Sequence, residues 1–269
     1  MKTIEDMAAT MSDDNLETGW EWQLPRPQVE VLGVNIDRTT AEGAMTRITA
    51  MLDAPGCKQV VTVNPEYVML ADGSPRLKRL LNRTELNVPD GIGIVWASRL
   101  LGEPIAARVT GTDLLPQICR LLSRREESIF LLGGAPGVAE QAAENLSAQF
   151  PGCRIAGTSS NNPSPETDPQ TVHSINESGD AVLAVAYGCP KQDFWIERNR
   201  DRLTGIRVAI GVGGAFDFIS GDVPRAPGPL RKAGLEWLYR LWLEPSRYRR
   251  MLALPRFGWR VAKSRRQQL

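Results

Sequence analysis

The stretch SIFLLGGAPGVAE, residues 128–140, decides the fold. A short apolar run, 128–132, passes into the glycine turn Gly133-Gly134-Ala135-Pro136-Gly137 and then into a helix start, where proline is tolerated because the first turn has no use for its N–H. Strand, tight turn and helix in succession open a β-α unit, the crossover that parallel pairing requires. Outward from it the same alternation recurs. Strand-like runs lie at VEVLGVNI (29–36), QVVTV (59–63), ELNV (85–88), CRIAG (153–157), AVLAVAY (181–187) and IRVAIGV (206–212), and helix starts are expected near Thr40, Pro65, Gly91, Thr112, Pro136, Pro165 and Pro190. The pattern predicts an α/β fold, a Rossmann-like, mainly parallel sheet with helices on both faces. Ligands of such sheets bind beyond the carboxyl ends of the strands, so the chemistry is sought there.

The flanks differ from this core. Residues 1–28 mix acidic residues with Trp20 and Trp22 and read as a flexible arm; residues 29–220 carry the alternating pattern. Residues 221–269 abandon it for a Pro-rich entry and a helical run in which Leu235, Leu238, Leu241 and Trp242 recur among arginines, the pattern of a basic amphipathic appendage. The formal net charge of +1 conceals this division: from Arg225 onward there are twelve Lys or Arg against Glu236 and Glu244, about +10, leaving about −9 elsewhere. Such a tail suits an anionic surface. No apolar run is long enough to span a bilayer and the first residues do not form a signal peptide, so a cytoplasmic protein is expected. Cys57, Cys119, Cys153 and Cys189 form no CxxC pair and sit in apolar surroundings, as buried free thiols do; with His173 the sole histidine, a zinc site is not expected.

Polar groups concentrate at the strand ends. Thr62 and Asn64 share one face at the end of QVVTV. ELNV runs into Pro89-Asp90-Gly91, and Asp90 is open to two readings, a general base for an attacking hydroxyl or a cap for the next helix. Arg108 precedes a helix start and could bind phosphate with it, or serve as a solvated ion pair. Gly133 and Gly134, then Gly188 before Lys191 and Gln192, then Gly213 and Gly214, complete a set of glycine loops suited to a diphosphate, although none is a P-loop or a full GxGxxG. From the residues alone this is a platform for a phosphorylated nucleotide, with the reaction unnamed.

Seven stretches in order resemble the WecG/TagA/CpsF glycosyltransferases, glycosyltransferase family 26: TVNPEYVMLA (62–71), NVPDGIGIVWASRLLG (87–102), RVTGTDLL (108–115), FLLGGAPGVAE (130–140), YGCPKQDFWI (187–196), VGGAFDFISG (212–221) and RAPGPLRKAGLEWLYRLWLEPSRYRR (225–250). The acidic arm has no counterpart in that likeness. The resemblance implies an inverting transfer from a UDP-sugar, of N-acetylmannosamine type or a related hexose or uronic acid, to a saccharide on undecaprenyl diphosphate, with no metal and no cofactor. It implies Asp90 as catalytic base, Thr62 and Asn64 as the active-site polar pair, Arg108 as the active-site arginine and Gln192 as the glutamine opposite, with the GGAPG and VGGAF loops facing the nucleotide. The appendage would bring Arg225, Arg231, Arg240, Arg247 and Arg250 to the diphosphate or the membrane, with Trp237, Trp242 and Trp259 as interfacial anchors.

The partners then expected are a UDP-sugar, a polyprenyl-diphosphate-linked saccharide and the anionic inner face of the plasma membrane, with self-association through apolar helix faces. Nucleic acid is not expected, since no binding motif accompanies the charge. Two other readings stand beside this one. A nicotinamide-dependent dehydrogenase is disfavoured because VLGVNIDRTT offers one glycine where GxGxxG is needed. A non-catalytic, membrane-associated nucleotide-binding scaffold would keep the fold yet tolerate changes at Thr62, Asn64 and Asp90.

Overall fold

The computed structural model describes residues 25–268, so nearly all of the arm expected over 1–28 lies outside the described residues, as does the side chain of Arg247. In chain order the strands are β1 (Gln28–Val31), β2 (Val34–Asp37), β3 (Lys58–Val63), β4 (Leu86–Pro89), β5 (Ser128–Gly133), β6 (Arg154–Ser159), β7 (Val182–Ala186) and β8 (Val208–Gly211). The helices are α1 (Ala41–Leu52), α2 (Pro65–Asp72), α3 (Pro75–Leu81), α4 (Ile92–Leu100), α5 (Gly111–Arg125), α6 (Val138–Gln149), α7 (Asp168–Ser178), α8 (Lys191–Asn199), α9 (Ala215–Ser220), α10 (Gly228–Lys232), α11 (Glu236–Leu243), α12 (Tyr248–Met251) and α13 (Ala253–Gln268).

Strands β3 to β8 form one six-stranded sheet in the order β4-β3-β8-β7-β5-β6, every neighbouring pair parallel. In β3, β4, β5, β7 and β8 nearly every side chain is buried, which is why these runs are largely apolar, whereas the edge strand β6 is half-exposed and carries Arg154, Thr158 and Ser159. Along β5, Ile129 and Leu131 join α1, α5 and α6 in one core cluster, whereas Phe130 and Leu132 point the other way to meet Trp195 of α8 and Val172 of α7. A third cluster joins Val61 and Val63 of β3 to α2, α3 and α4, and to Phe257 and Val261 of α13.

The run 29–36 departs from the expected single strand of the main sheet. It is a hairpin, β1 and β2 paired antiparallel in a sheet of their own. Leu32 and Gly33 both sit at positive φ, 52° and 83°, the two-residue turn whose twist matches that of a hairpin. Val29, Val31, Val34 and Ile36 are all buried, so the apolar pattern runs through the turn and disguises it. Asp37 fastens the hairpin to the sheet, accepting from Arg26 Nη1 at 2.9 Å and from the Asn87 N–H in β4 at 2.6 Å.

Most helix starts fall where capping chemistry puts them. Thr40 caps α1, Asn64 caps α2 with Pro65 behind it, and Thr110 caps α5, which begins at Gly111, one residue before the expected start. Helix α6 begins after Gly137 and α7 after Thr167, two or three residues beyond the expected prolines. Helix α3, which was not expected, follows Ser74, whose hydroxyl accepts from the Leu77 N–H at 3.3 Å. Among the described residues no helix is long and apolar enough to cross a membrane.

Candidate active site

Because all six strands run the same way, their carboxyl ends meet along one edge, and a cleft of about 910 Å³ opens there. Thr62 and Asn64 after β3, Asp90 after β4, Gly134 after β5, Gly188 and Gln192 after β7 and Gly213 and Gly214 after β8 all line it. The far side is closed by the appendage, which contributes Glu236, Trp237, Arg240 and Arg250. The cysteines are free, three of them buried, and no group of three or more His, Cys, Asp or Glu among the described residues could hold a metal ion.

The strand-end side chains are fixed by backbone bonds. The Thr62 hydroxyl donates to the Gly211 carbonyl at 3.1 Å, joining the ends of β3 and β8. Asn64 Oδ1 accepts from the Tyr67 N–H at 2.9 Å as the cap of α2, which leaves its amide nitrogen for the cleft. Gln192, almost wholly buried, accepts from the Gly213 N–H at 3.0 Å and so braces the glycine loop.

Asp90 is placed differently. Its N–H donates to Val63 O at 2.8 Å, pinning the backbone to β3, but its side chain does not cap α4. Gly91 is the cap residue, at φ 96°, a conformation that lets the chain turn sharply into the helix while the carboxyl group stays at the cleft. Of the two readings of Asp90, capping is therefore removed. Burial pushes its carboxyl up to about 7; the Arg108 charge works against that rise, and Glu236 and Asp113 reinforce it.

Arg108 links the sheet to the appendage. Its Nη2 donates to Arg231 O at 2.8 Å and its Nη1 approaches Glu236 Oε2 at 3.5 Å. Glu236 also takes Arg225 Nε at 3.3 Å, and Arg225 reaches Asp113 Oδ1 at 2.9 Å. Burial raises the Asp113 carboxyl, but bonds from the Thr110 hydroxyl and Arg225 outweigh it and hold the group below the usual carboxylate range.

The other appendage arginines are held against the sheet wall too. Arg240 donates to Asp217 Oδ2 at 2.6 Å and to Glu244 Oε1 at 3.0 Å, and covers the Phe218 ring at 4.7 Å. A Cβ on Gly214 would lie 2.5 Å from Arg240 Nη1, so the missing side chain is what admits this guanidinium to the glycine loop. Arg250 donates to Glu66 at 2.7 Å.

The glycine and arginine sets thus divide. Gly134, Gly188, Gly213 and Gly214 line the cleft, whereas Gly133 packs where a Cβ would meet the Ala186 carbonyl carbon at 2.9 Å. Arg240 and Arg250 line the cleft, while Arg225 and Arg231 stand behind it as braces.

A model of the glycosyl transferase WecG/TagA/CpsF family matches residues 29–269. The chain belongs to this family. As a WecG/TagA/CpsF glycosyltransferase it is similar to an N-acetylglucosaminyldiphosphoundecaprenol N-acetyl-beta-D-mannosaminyltransferase of Bacillus spizizenii, with 36% identity over 81% of this chain and 84% of that one. Enzymes of the same description from Bacillus subtilis, 32% identical over 78% and 80%, and Staphylococcus aureus, 30% identical over 89% and 94%, are also similar. The match extends through the appendage, whose residues build one wall of the cleft.

Four residues in or behind the cleft were not singled out from the sequence. Asp113 had a signal, standing three residues after Thr110 as the reciprocal partner of a helix cap. Glu236 had one as well, being one of two acids in a strongly basic segment. Asp217 and Trp96 had none, because what they face depends on how the appendage folds back.

Proposed function

We propose that this glycosyltransferase moves a sugar, N-acetylmannosamine or a related hexose or uronic acid, from a UDP-sugar to a saccharide carried on undecaprenyl diphosphate, with inversion at the anomeric carbon. The observation that carries the reading is Asp90: a carboxyl group at a strand end, spared from capping, facing a cleft, with its proton affinity raised to about 7. A base of that strength is matched to neutral pH. Ionised Asp90 takes the proton of an acceptor hydroxyl as its oxygen bonds to the anomeric carbon. The bond from that carbon to the UDP oxygen breaks, and the electron pair leaves with the diphosphate.

The leaving diphosphate needs positive charge and N–H donors. Arg240, seated on the Gly213-Gly214 loop, and the backbone amides of that loop supply both. This gives the reaction a route without a metal or a cofactor, the UDP-sugar being a substrate. The relatives named above supply the acceptor class. Trp242 and Trp259 of the appendage are 74% and 63% exposed among arginines, which suits peripheral docking on an anionic inner membrane face where a polyprenyl acceptor resides. Self-association belongs to the same reading, and sedimentation with and without lipid vesicles tests it.

The deciding experiment is UDP release from a panel of UDP-sugars in EDTA, with a short-tailed lipid diphosphate saccharide as acceptor, for wild type and Asp90→Asn. Acceptor-dependent release with one donor, lost in the variant, supports the reading. Equal release by both enzymes removes Asp90 from the base role, and release that requires a divalent cation removes the metal-free route.

A further inference from the structure

The cleft does not end at the polar strand termini. It continues between α4 and α13, where its lining turns apolar: Trp96 and Leu100 on α4 face Leu254, Phe257, Gly258 and Val261 on α13. Positions 254, 257, 258 and 261 recur at the spacing that places residues on one face of a helix, as do 93, 96, 97 and 100 of α4, which also line it. Two apolar helix faces thus flank a trough above the point where Phe257 and Val261 pack into the cluster that α4 shares. Phe257 and Val261 are buried at its floor, and Gly258 leaves a gap: a Cβ built there meets nothing within 4 Å. Trp96, 61% exposed, stands at the open side.

We propose that this trough binds the first isoprene units of the acceptor's polyprenyl chain, a proposal that rests on the acceptor reading given above. Three observations select hydrocarbon as the occupant. The trough is continuous with the polar cleft, so a molecule whose diphosphate lies among Arg240, Arg250 and the glycine loops has its tail directed into it. Its lining offers carbon and almost no hydrogen-bonding groups, which a nucleotide or sugar could not use without desolvation cost. Its length suits a chain: from Leu254 to Val261 the helix rises about 10 Å, room for a short run of isoprene units. The outer face of α13 carries Trp259 and Lys263, with Lys263 Nζ 5.4 Å from the Trp259 ring centroid, so trough and basic membrane-facing surface lie on the same helix.

Direct binding separates this proposal from the reaction. Farnesyl diphosphate and dimethylallyl diphosphate, which differ only in tail length, are titrated into the full chain in the absence of membrane and below micelle formation. Wild type is expected to bind the longer tail at least tenfold more tightly. Gly258→Leu fills the gap with a good helix former, and the length preference is expected to fall below about threefold, with a melting curve confirming the fold. Trp259→Ser, off the trough, is expected to keep it. A wild type with no length preference, or a Gly258→Leu variant that retains all of it, overturns the proposal; a preference lost equally in Trp259→Ser also overturns it, in favour of surface adsorption. Transfer to a methyl-tailed acceptor, measured in parallel, reports on the glycosyltransferase reading alone, so the two fail independently.

Discussion

The strand-end wall of the cleft presents backbone amides, glycines and short side chains, whereas the wall supplied by the appendage presents long charged and aromatic ones. The first is set by the sheet: Thr62, Asn64, Gln192 and the Asp90 backbone are each tied to a main-chain group. The second reaches the sheet through ion pairs, Arg108 with Glu236, Arg240 with Asp217 and Arg250 with Glu66. Such pairs, partly open to water, weaken with salt and hold two flexible side chains at an entropic cost. The proposed base therefore belongs to a fixed wall, and the arginines proposed to neutralise charge belong to a wall that can adjust.

The largest effect should come from the rigid wall. Asp90→Asn keeps the shape of the base and removes its proton affinity, and kcat is expected to fall about 10²- to 10⁴-fold while UDP affinity, read by calorimetry, changes little. In the wild type kcat/KM should rise with pH through about 7, because the proposed base acts in its ionised form. Glu236→Gln should move that midpoint down, since the Glu236 charge is among the causes that raise it.

On the adjustable wall, Arg240→Ala should cost about 10²-fold in kcat, the usual scale for removing one group that stabilises developing charge. The seam between the walls is tested by Gly214→Ala, whose methyl group displaces the Arg240 guanidinium. A loss of about tenfold in kcat/KM, roughly 1.4 kcal/mol, is expected, and an unchanged rate would show that Arg240 is not needed at that loop.

A separate effect, on stability and not on rate, lies beneath the rigid wall. Asp193, next to Gln192 but sealed below the cleft, has one carboxylate oxygen with no partner among the described residues, and burial pushes its carboxyl up to about 8. A folded-state pKa raised above the unfolded value of 3.8 means that folding holds this proton, so the group's contribution is present at low pH and is lost as pH rises toward 8. Asp193→Asn removes that dependence. Its stability advantage over wild type in urea melts should widen by up to about 1.4 kcal/mol per pH unit within this window.

The contrast between the walls also governs what could be read from the chain. Strands such as SIFLL announce themselves because burial on both faces demands unbroken apolar runs, and Asn64 and Thr110 are visible because caps have a local grammar. The hairpin over 28–37 was hidden because its apolar alternation survives the turn at Leu32-Gly33. Asp217, Trp96 and the trough depend on contacts between segments far apart in sequence, Arg240 with Asp217 and α13 against α4, which no local pattern records. Gln192 was legible as a site position, but its bond to Gly213 joins two strand ends that only the sheet order brings together.

Arg108 stands between two carboxylates that belong to different walls, Asp90 of the sheet and Glu236 of the appendage. Linkage makes their claims on it reciprocal. Glu236 raises the affinity of Asp90 for its proton, so removing that proton must weaken the hold of Glu236 by the same free energy. A hydrogen ion thus behaves as an effector of appendage docking, and any event that lifts Glu236 away from Arg108 sharpens the acidity of Asp90, the proposed base.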